Sequence, residues 1–321
     1  MTVDDQYGPE RRYARMKLFY SPDYIRSGHA FETTRKSQWI ADSLHCDPID
    51  GIEVLAPEPL SEAQLCEVHG PSYVTAVRTG QPQRAAESQG FPWDASFWSM
   101  VCASNGGAVA AAVAALADGV AGSLSSGLHH ARRDHGAGFC TFNGLGLGVR
   151  AASAAGAQAI LILDLDAHCG GGTHSLVAGD PHVWQLDVAV SPFDTYVPTE
   201  RTTLDLVRDP ARYVTLVESR LKGLEASAPR FELCLYNAGM DPFEGCAIGG
   251  LRGLTRAILE ERERLVFDWC VRRRIPIAFV LAGGYLGPGL DEPGLVALHR
   301  LTLSAAVRAR RGWVRAEGGL S

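Results

Sequence analysis

The segment at residues 160–176, ILILDLDAHCGGGTHSL, constrains the fold more than any other part of the chain. It begins with an unbroken apolar run, and a run without alternation is typical of a strand covered on both faces, as in a parallel sheet. The polar residues Asp164, Asp166 and His168 are spaced by two, so their side chains point to one side if the chain stays extended. The segment therefore predicts a buried strand whose polar end faces a common site.

Short apolar runs alternate with amphipathic stretches along most of the chain. The runs that we interpret as strands are MKLFY, AILILDLD, HVWQLDVAV, FELCLYNAG and IPIAFVLAGG, and the helical patterns include YVTLVESRLKGLEA and LTRAILEERERLVFDWCVRR. This order is typical of βαβ units, and we find no linker long enough to separate two domains. We therefore predict one α/β domain, with flexible tails at residues 1–15 and 312–321.

Three of the predicted strands end in polar or glycine-rich sequence. These endings are DLDAHCGGG, YNAGMDPFEG and LAGGYLGPG. In open α/β sheets, ligands bind in the crevice outside the carboxyl ends of the strands. We therefore predict that the three endings converge on one crevice.

Composition and charge exclude several classes of function. The 321 residues carry a formal net charge of −6 without a long basic block, so we do not expect nucleic acid as a partner. The eight cysteines form no CxxC pair, which favours reduced thiols over a disulfide framework in a chain of this size. The first residues lack the apolar core of a signal peptide, and the longest apolar stretch, AVAAAVAALA, is too short and too alanine-rich to span a bilayer. We therefore expect a cytoplasmic protein that binds no membrane.

Two adjacent histidines, His129 and His130, lie in the segment SGLHHARRDHGAGFCTFNG. Taken alone, they would be interpreted as core or surface histidines satisfied by a hydrogen bond, which is the commoner case. Beside a carboxylate-rich crevice they predict acid–base chemistry, because an imidazole can take a proton from a metal-bound water and return it to a leaving amine.

Four motifs occur in an order and at intervals that resemble the zinc-dependent deacetylase family, which includes histone deacetylases and acetylpolyamine amidohydrolases. They are HHARRDHGAGFCTFN, DLDAHCGGG, NAGMDP and AGGYLG. The segment APEPLSEAQLCEVHGPSYVTAV is also similar to the N-terminal helical region of that family. The resemblance runs from about MKLFYSP onward and implies the arginase/deacetylase fold, a single α/β domain with a central, mainly parallel β-sheet flanked by helices.

The resemblance implies a metal site made of Asp166, His168 and Asp241, which would bind one Zn²⁺ per chain. Two carboxylates and one imidazole leave an open coordination position, as in catalytic rather than structural zinc sites. Taken separately, Asp166 and His168 could cap a strand end, and Asp241 could be a turn residue before Pro242. The three residues together favour the metal site.

For catalysis, the resemblance implies that His129 and His130 handle protons, with His130 as general base and acid and with Asp164 accepting a hydrogen bond from His129. It also implies that Tyr285 donates a hydrogen bond to the tetrahedral oxyanion. Without the other motifs, Tyr285 would be interpreted as a core aromatic that follows two glycines. Together these roles describe hydrolysis of an amide by metal-activated water.

Substrate-channel residues follow from the same resemblance. Phe139, after Gly138, would form one wall of a narrow channel for an acyl-amide chain, or would otherwise belong to the core. Gly283 and Gly284 would allow the backbone to pass close to the site. Arg35 would line an internal cavity on the acetate side or, alternatively, lie on the surface at a helix N-terminus.

The chain departs from the family pattern at two places. Family members commonly carry Asn or Asp where this chain has Gly171, so we expect His130 to lack its usual orienting partner. Cys169, in place of a second histidine, is interpreted as a small buried hydrophobe. In the segment DVAVSPFDTYVPTERTT, Val197 stands where the family has a second channel aromatic. We therefore expect a wider or differently shaped channel. The family also builds a monovalent-cation site nearby, partly from Asp164, so the resemblance implies K⁺ as a structural ion near Asp164.

One position separates this chain from arginase-like ureohydrolases, which share the fold. Their two-manganese centre needs an aspartate two residues beyond the histidine, where this chain has Gly170. The sequence therefore predicts a zinc-dependent amidohydrolase that removes an acyl group, with acetyl favoured, from an amine.

Three interpretations of the function remain, and the first two differ in the amine that carries the acyl group. A small N-acyl amine or polyamine is favoured, because we find no insertion long enough to form an extended peptide-docking surface. Deacetylation of acetyl-lysine in proteins is the alternative. A non-catalytic binding protein with a relic site is a further one, and the sequence predicts no oligomeric state.

Overall fold

A single eight-stranded sheet organises the residues that the computed structural model describes, 15–27 and 32–318. The strands are β1 (Met16–Phe19), β2 (Ile52–Leu55), β3 (Val120–Ser123), β4 (Ile160–Asp164), β5 (Val183–Ala189), β6 (Thr202–Leu206), β7 (Leu233–Gly239) and β8 (Ile277–Ala282). They are hydrogen-bonded in the order β2-β1-β3-β8-β7-β4-β5-β6, and every neighbouring pair is parallel. The prediction of an α/β fold with a mainly parallel sheet is confirmed.

Helices cover both faces of this sheet. They are α1 (Glu32–Cys46), α2 (Glu62–Cys66), α3 (Pro71–Thr79), α4 (Gln83–Ala86), α5 (Phe97–Asp118), α6 (Gly144–Ala154), α7 (Gly171–Val177), α8 (Tyr213–Ser227), α9 (Arg256–Arg273) and α10 (Glu292–Gly318). Short 3₁₀ helices lie at Pro22–Ile25 and Pro210–Arg212. Core residues of α1, α8, α9 and α10 pack on one face of the sheet, and those of α5, α6 and α7 pack on the other.

The two-sided covering explains the unbroken apolar run of β4. Leu161 and Leu163 belong to the hydrophobic cluster on the first face, whereas Ile160 and Ile162 belong to the cluster on the second. All five residues of the strand are buried. Because both faces need apolar side chains, the strand shows no alternation of polar and apolar residues.

Helix α5 is the most apolar element of the fold. It is 22 residues long with a mean hydropathy of 1.7 over its most apolar window, so its length and composition alone would allow it to cross a membrane. The expectation that this stretch is too short is therefore wrong. However, 61% of that window is buried inside the protein, and a core helix of a soluble protein meets the same criterion.

The last helix corrects the predicted C-terminal tail. Helix α10 continues through residues 312–318, which the sequence assigned to the tail. The reason is that Trp313 is only 7% exposed: its indole lies against Gly119, and the guanidinium of Arg274 stacks 4.6 Å from its ring centroid. Residues 1–14 and 319–321 of the predicted tails lie outside the described residues.

The strand order brings the three predicted strand endings together. β4, β7 and β8 are neighbours in the sheet, and Asp164 at the end of β4 is in register with Asn237 of β7 and with Asp187 of β5. Because parallel strands place their carboxyl ends at one edge, the segments that follow these strands meet above that edge.

Candidate active site

Asp166, His168 and Asp241 form a compact buried cluster at this edge. One possible ligand atom from each lies within 4.8 Å of the others. His168 Nδ1 is 3.1 Å from Asp166 Oδ1 and 3.1 Å from Asp241 Oδ2. The structure therefore brings together the three residues that the resemblance assigned to the metal.

The donor set fits a divalent cation. Asp241 Oδ1 accepts the backbone N–H of Ala167 at 3.0 Å, whereas its Oδ2 is buried and makes no hydrogen bond. Burial and the neighbouring Asp166 raise the pKa of Asp241 to about 6. Burial lowers the pKa of His168, but Asp166 and Asp241 outweigh this effect and raise that pKa to about 10. The two buried carboxylates therefore favour a positive charge beside them, which a divalent metal would provide.

His129 and His130 lie beside this cluster with their rings 4.0 Å apart. His129 Nδ1 donates to Asp164 Oδ2 at 2.8 Å, and Asp164 Oδ1 also accepts a hydrogen bond from the side-chain amide of Asn237 at 2.8 Å. The Nε2 atoms of the two histidines are 3.1 Å apart, a distance that allows one to donate to the other. The contact between His129 and Asp164 is the one that the resemblance implied.

The two histidines differ in their affinity for a proton. Burial opposes a charge on His129, but Asp164 and Asp166 outweigh it and raise the pKa of His129 to about 10. Burial and the neighbouring His129 charge lower the pKa of His130 to about 4. In the metal-free protein His129 therefore has a much higher affinity for a second proton than His130 does.

His130 has an orienting partner, contrary to the expectation drawn from Gly171. Asp194 Oδ2 lies 2.9 Å from His130 Nδ1. Asp194 belongs to the loop after β5, within the segment noted as a departure from the family pattern. No spacing in the sequence connects it to His130, because loop hydrogen bonds determine where it lies.

A second buried carboxylate, Asp187, was also missed. Its Oδ2 accepts the N–H of Gly170 at 2.6 Å, and its Oδ1 is buried without a hydrogen-bond partner. Burial and the nearby Asp164 raise the pKa of Asp187 well above that of an ordinary aspartate. A charged residue in the middle of the apolar strand HVWQLDVAV was the signal that could have identified it.

Tyr285 reaches the cavity beside His168, with ring centroids 6.3 Å apart and an interplanar angle of 88°. Burial, Asp241 and Asp166 raise the pKa of Tyr285 far above that of a free phenol. The side chain therefore stays protonated and can donate a hydrogen bond. This is the state that an oxyanion donor requires.

The two glycines before Tyr285 allow the backbone to approach two different residues closely. Gly283 and Gly284 both adopt a positive φ, of 58° and 90°. A Cβ on Gly283 would come within 2.3 Å of the Asp241 carboxylate carbon, so only glycine lets the backbone approach the cluster here. A Cβ on Gly284 would instead collide with Leu295 of α10, which shows that Gly284 packs against this helix.

A cavity of about 490 Å³ opens above the cluster. His130, His168 and Tyr285 line it, together with the aromatic and aliphatic side chains Phe139, Phe193 and Ile248.

Gly138 and Phe139 lie in the cavity wall as the resemblance implied, and both have a positive φ, of 50° and 65°. Val197 does not line the cavity and is 82% exposed. Phe193 packs edge-on at 4.9 Å from His130 and provides the second aromatic wall, so the expectation for Val197 is corrected.

A smaller pocket of about 40 Å³ is lined by His129, Asp166 and Gly283, among others. Arg35 is exposed and lines neither pocket, whereas a buried cation follows it directly in the sequence. That cation is Lys36, whose Nζ donates to the carbonyl of Gly283 at 2.6 Å and whose pKa burial lowers to about 8. Its spacing of four from the buried Ile40 is the helical signal that could have distinguished Lys36 from Arg35.

A family model of the histone deacetylase domain matches residues 29–292. The chain belongs to the histone deacetylase family. This confirms the resemblance drawn from the four motifs and supports a deacetylase-type hydrolase.

Three relatives illustrate how similar this chain is to other sequences. An uncharacterized protein of Picosynechococcus sp. (strain ATCC 27264 / PCC 7002 / PR-6) is 33% identical over 279 residues, which cover 84% of this chain and 91% of that protein. Histone deacetylase 2 of Arabidopsis thaliana is 30% identical over 190 residues, which cover 56% of this chain and 48% of that protein. The acetoin utilization protein AcuC of Bacillus subtilis (strain 168) is 26% identical over 186 residues, covering 53% and 48%. The chain spans about half the length of these last two relatives.

Solved structures share the fold at low sequence identity. The HDA15 HD domain superposes with a TM-score of 0.74 at 17% identity, covering 92% of this chain and 90% of that one. The acetylpolyamine aminohydrolase from Burkholderia pseudomallei superposes with a TM-score of 0.73 at 18% identity, covering 91% and 98%. Both establish the fold of a histone deacetylase family domain for this chain.

Proposed function

We propose that the protein is a zinc-dependent amidohydrolase that removes an acyl group, with acetyl favoured, from an amine. The observation that carries this proposal is a buried Asp–His–Asp cluster whose His168 lines the same cavity as His130 and Tyr285. Membership of the histone deacetylase family supports the same class of reaction.

Each group in the cavity has a distinct task in amide hydrolysis. Asp166, His168 and Asp241 would hold the metal, which supplies Lewis-acid activation of the amide carbonyl and of water. His130, oriented by Asp194, would accept a proton from the attacking water through Nε2 and return it to the leaving amine. His129, held by Asp164, would act electrostatically near the reacting atoms, and Tyr285 would donate a hydrogen bond to the developing oxyanion.

The presence of every one of these groups supports an enzyme over a binding protein with a relic site. A relic site would tolerate loss of a ligand or of Tyr285, because binding alone needs no oxyanion donor.

The K⁺ site near Asp164 remains a prediction. The buried, unpartnered Asp187 Oδ1 beside Asp164 supports it, since two adjacent buried carboxylates need a cation or a proton.

We also propose a cytoplasmic location. All eight cysteines are free thiols, which suits a reducing compartment. Fractionation of cells that express the protein, with detection by a specific antibody, tests this directly. Recovery in an oxidising compartment would contradict it.

Zinc affinity should increase with pH. At neutral pH the metal-free site holds a proton on His168, whose pKa is raised to about 10, and zinc must displace that proton to bind. The apparent affinity should therefore rise by about tenfold for each pH unit between pH 6 and 8, one proton being released per metal. Competition with a chromophoric chelator measures this slope, and calorimetry in two buffers counts the protons. An affinity independent of pH would show that His168 is not a ligand.

The apolar cavity wall favours a small acylated amine as substrate. No carboxylate lines the 490 Å³ cavity among the described residues, and Phe139, Phe193 and Ile248 offer apolar surface to the part of the substrate beyond the amide. A small N-acyl amine with an apolar body fits this wall better than a multiply charged polyamine. Acetyl-lysine in a protein is the alternative, because its methylene chain is also apolar.

A comparison of substrates tests this choice. We expect kcat/KM for the best small N-acetyl amine to exceed that for acetyl-lysine peptides by at least about tenfold, roughly 1.4 kcal/mol of differential transition-state binding. The measurement is steady-state hydrolysis at equal concentrations, with an acetylated polyamine as a third substrate. Faster turnover of peptides, growing with added flanking residues, would assign the protein to protein deacetylation instead.

A further inference from the structure

The carboxylate beside His130 is held in place from several directions. Asp194 Oδ2 accepts hydrogen bonds from His130 Nδ1 at 2.9 Å and from the N–H of Gly172 at 3.0 Å. Only 9% of the Asp194 side chain is exposed. A carboxylate with two donors on one oxygen and little contact with water keeps a fixed orientation.

Arg132 fixes the other oxygen of the same carboxylate. Its guanidinium contacts Asp194 Oδ1 and also donates to the carbonyl of Gly171 at 2.9 Å. The loop itself is tied to the segment after β4, because the N–H of Cys169 donates to the carbonyl of Phe193 at 2.9 Å. The Asp194 side chain therefore reaches His130 from a loop whose backbone is hydrogen-bonded in place, and Arg132 holds its carboxylate.

Gly171 leaves the space that Asp194 fills. A Cβ on Gly171 would lie 2.3 Å from the Asp194 carbonyl oxygen and 2.6 Å from Asp194 Oδ1. These distances are far shorter than van der Waals contact, so a side chain at position 171 and the present position of Asp194 exclude each other.

We propose that Asp194 is the positioning residue for His130, supplied by the loop after β5 in place of the side chain that Gly171 lacks. The inference rests on the proposed function, because the residue that Asp194 orients, His130, is the general base of that proposal. Asp194 accepts the Nδ1–H of His130, which fixes the tautomer and places the basic lone pair of His130 on Nε2. Arg132 contributes by holding Asp194 and does not itself line the cavity.

Two variants remove the carboxylate of Asp194. Asp194→Asn keeps a side chain of the same shape, and Asp194→Gly removes the side chain. Asp194 has a φ of 60°, a conformation that both glycine and asparagine tolerate, so Asp194→Gly and Asp194→Asn should keep the loop backbone. We expect kcat to fall by about 10- to 100-fold in both, with KM close to that of the wild type. Zinc content and melting temperature should stay near the wild-type values.

Asp205→Asn is the matched control. Asp205 of β6 also pairs with an arginine, Arg220, through two hydrogen bonds of 2.6 Å, but it contacts no residue of the cavity. This variant should keep the wild-type kcat. Wild-type kcat in both Asp194 variants would overturn the inference, and so would a loss of kcat that only follows a loss of zinc or of folded protein.

An imidazole ¹⁵N spectrum provides a readout that does not depend on turnover. With histidine-labelled protein and His130→Asn for assignment, the wild type should show His130 protonated at Nδ1, whereas Asp194→Gly should show a mixture of tautomers. An unchanged His130 signal in Asp194→Gly would overturn the inference. If the wild type hydrolyses no N-acyl amine, the proposed function fails, and the spectrum still decides the role of Asp194.

Discussion

Asp241→Ala protein should bind almost no zinc and should hydrolyse N-acyl amines no faster than the metal-free wild type. The reason is that Asp241 contributes a buried carboxylate oxygen without a hydrogen bond, 3.1 Å from His168 Nδ1, in a cluster that has three possible ligands among the described residues. Removing one of three ligands leaves too few strong donors for a catalytic zinc site. Elemental analysis after gel filtration gives the zinc content, which should be about one per chain in the wild type.

Asp241→Asn controls for damage to the fold. An amide oxygen can still accept the N–H of Ala167, which Asp241 Oδ1 now accepts at 3.0 Å, so the backbone of the cluster should be preserved. We expect this variant to unfold at a temperature close to that of the metal-free wild type, and zinc should raise the melting temperature only in the wild type. Wild-type zinc occupancy in Asp241→Asn, or two zinc ions per chain in the wild type, would refute the assignment.

Tyr285→Phe should lower turnover by roughly a hundredfold to a thousandfold, because it removes one hydrogen-bond donor from the developing oxyanion. Tyr285 lines the cavity, and burial raises the pKa of its phenol, so the side chain keeps its proton at neutral pH. Zinc content and melting temperature should remain close to those of the wild type. Single-turnover kinetics with a saturating substrate measures the loss in the chemical step.

A second tyrosine in the chain serves as the matched control. Tyr73 is buried, and its hydroxyl donates to the carbonyl of Thr141 at 2.9 Å, outside the cavity. Tyr73→Phe should therefore destabilise the fold by about 1 kcal/mol while leaving turnover unchanged. If Tyr285→Phe behaved like Tyr73→Phe, with lost stability and unchanged turnover, Tyr285 would be a core aromatic.

The parts of the site that could be predicted from the sequence are those attached to the ends of strands. Asp164 ends β4, Asp166 and His168 follow it at intervals of two, and Asp241 follows the neighbouring strand β7, so the sheet brings them together. Parallel strands place their carboxyl ends at one edge of the sheet, which is why spacing alone predicted that these endings meet. The roles of the individual residues were implied by the family resemblance and did not follow from spacing.

The parts that could not be predicted depend on contacts between distant loops. Asp194 reaches His130 because backbone hydrogen bonds join the loop after β5 to the loop after β4, and no periodicity encodes such bonds. The same loop places Phe193, rather than Val197, in the cavity wall. Trp313 was missed for a related reason, since its burial depends on the distant Gly119.

The mutual exclusion of a side chain at position 171 and the present Asp194 also restricts how such a site can evolve. A carboxylate acquired at position 171 alone would collide with Asp194, and loss of Asp194 alone would leave Nδ1 of His130 without its carboxylate partner. We therefore expect that moving the carboxylate from one loop to the other requires two substitutions. Descendants of this chain should therefore change positions 171 and 194 together or not at all.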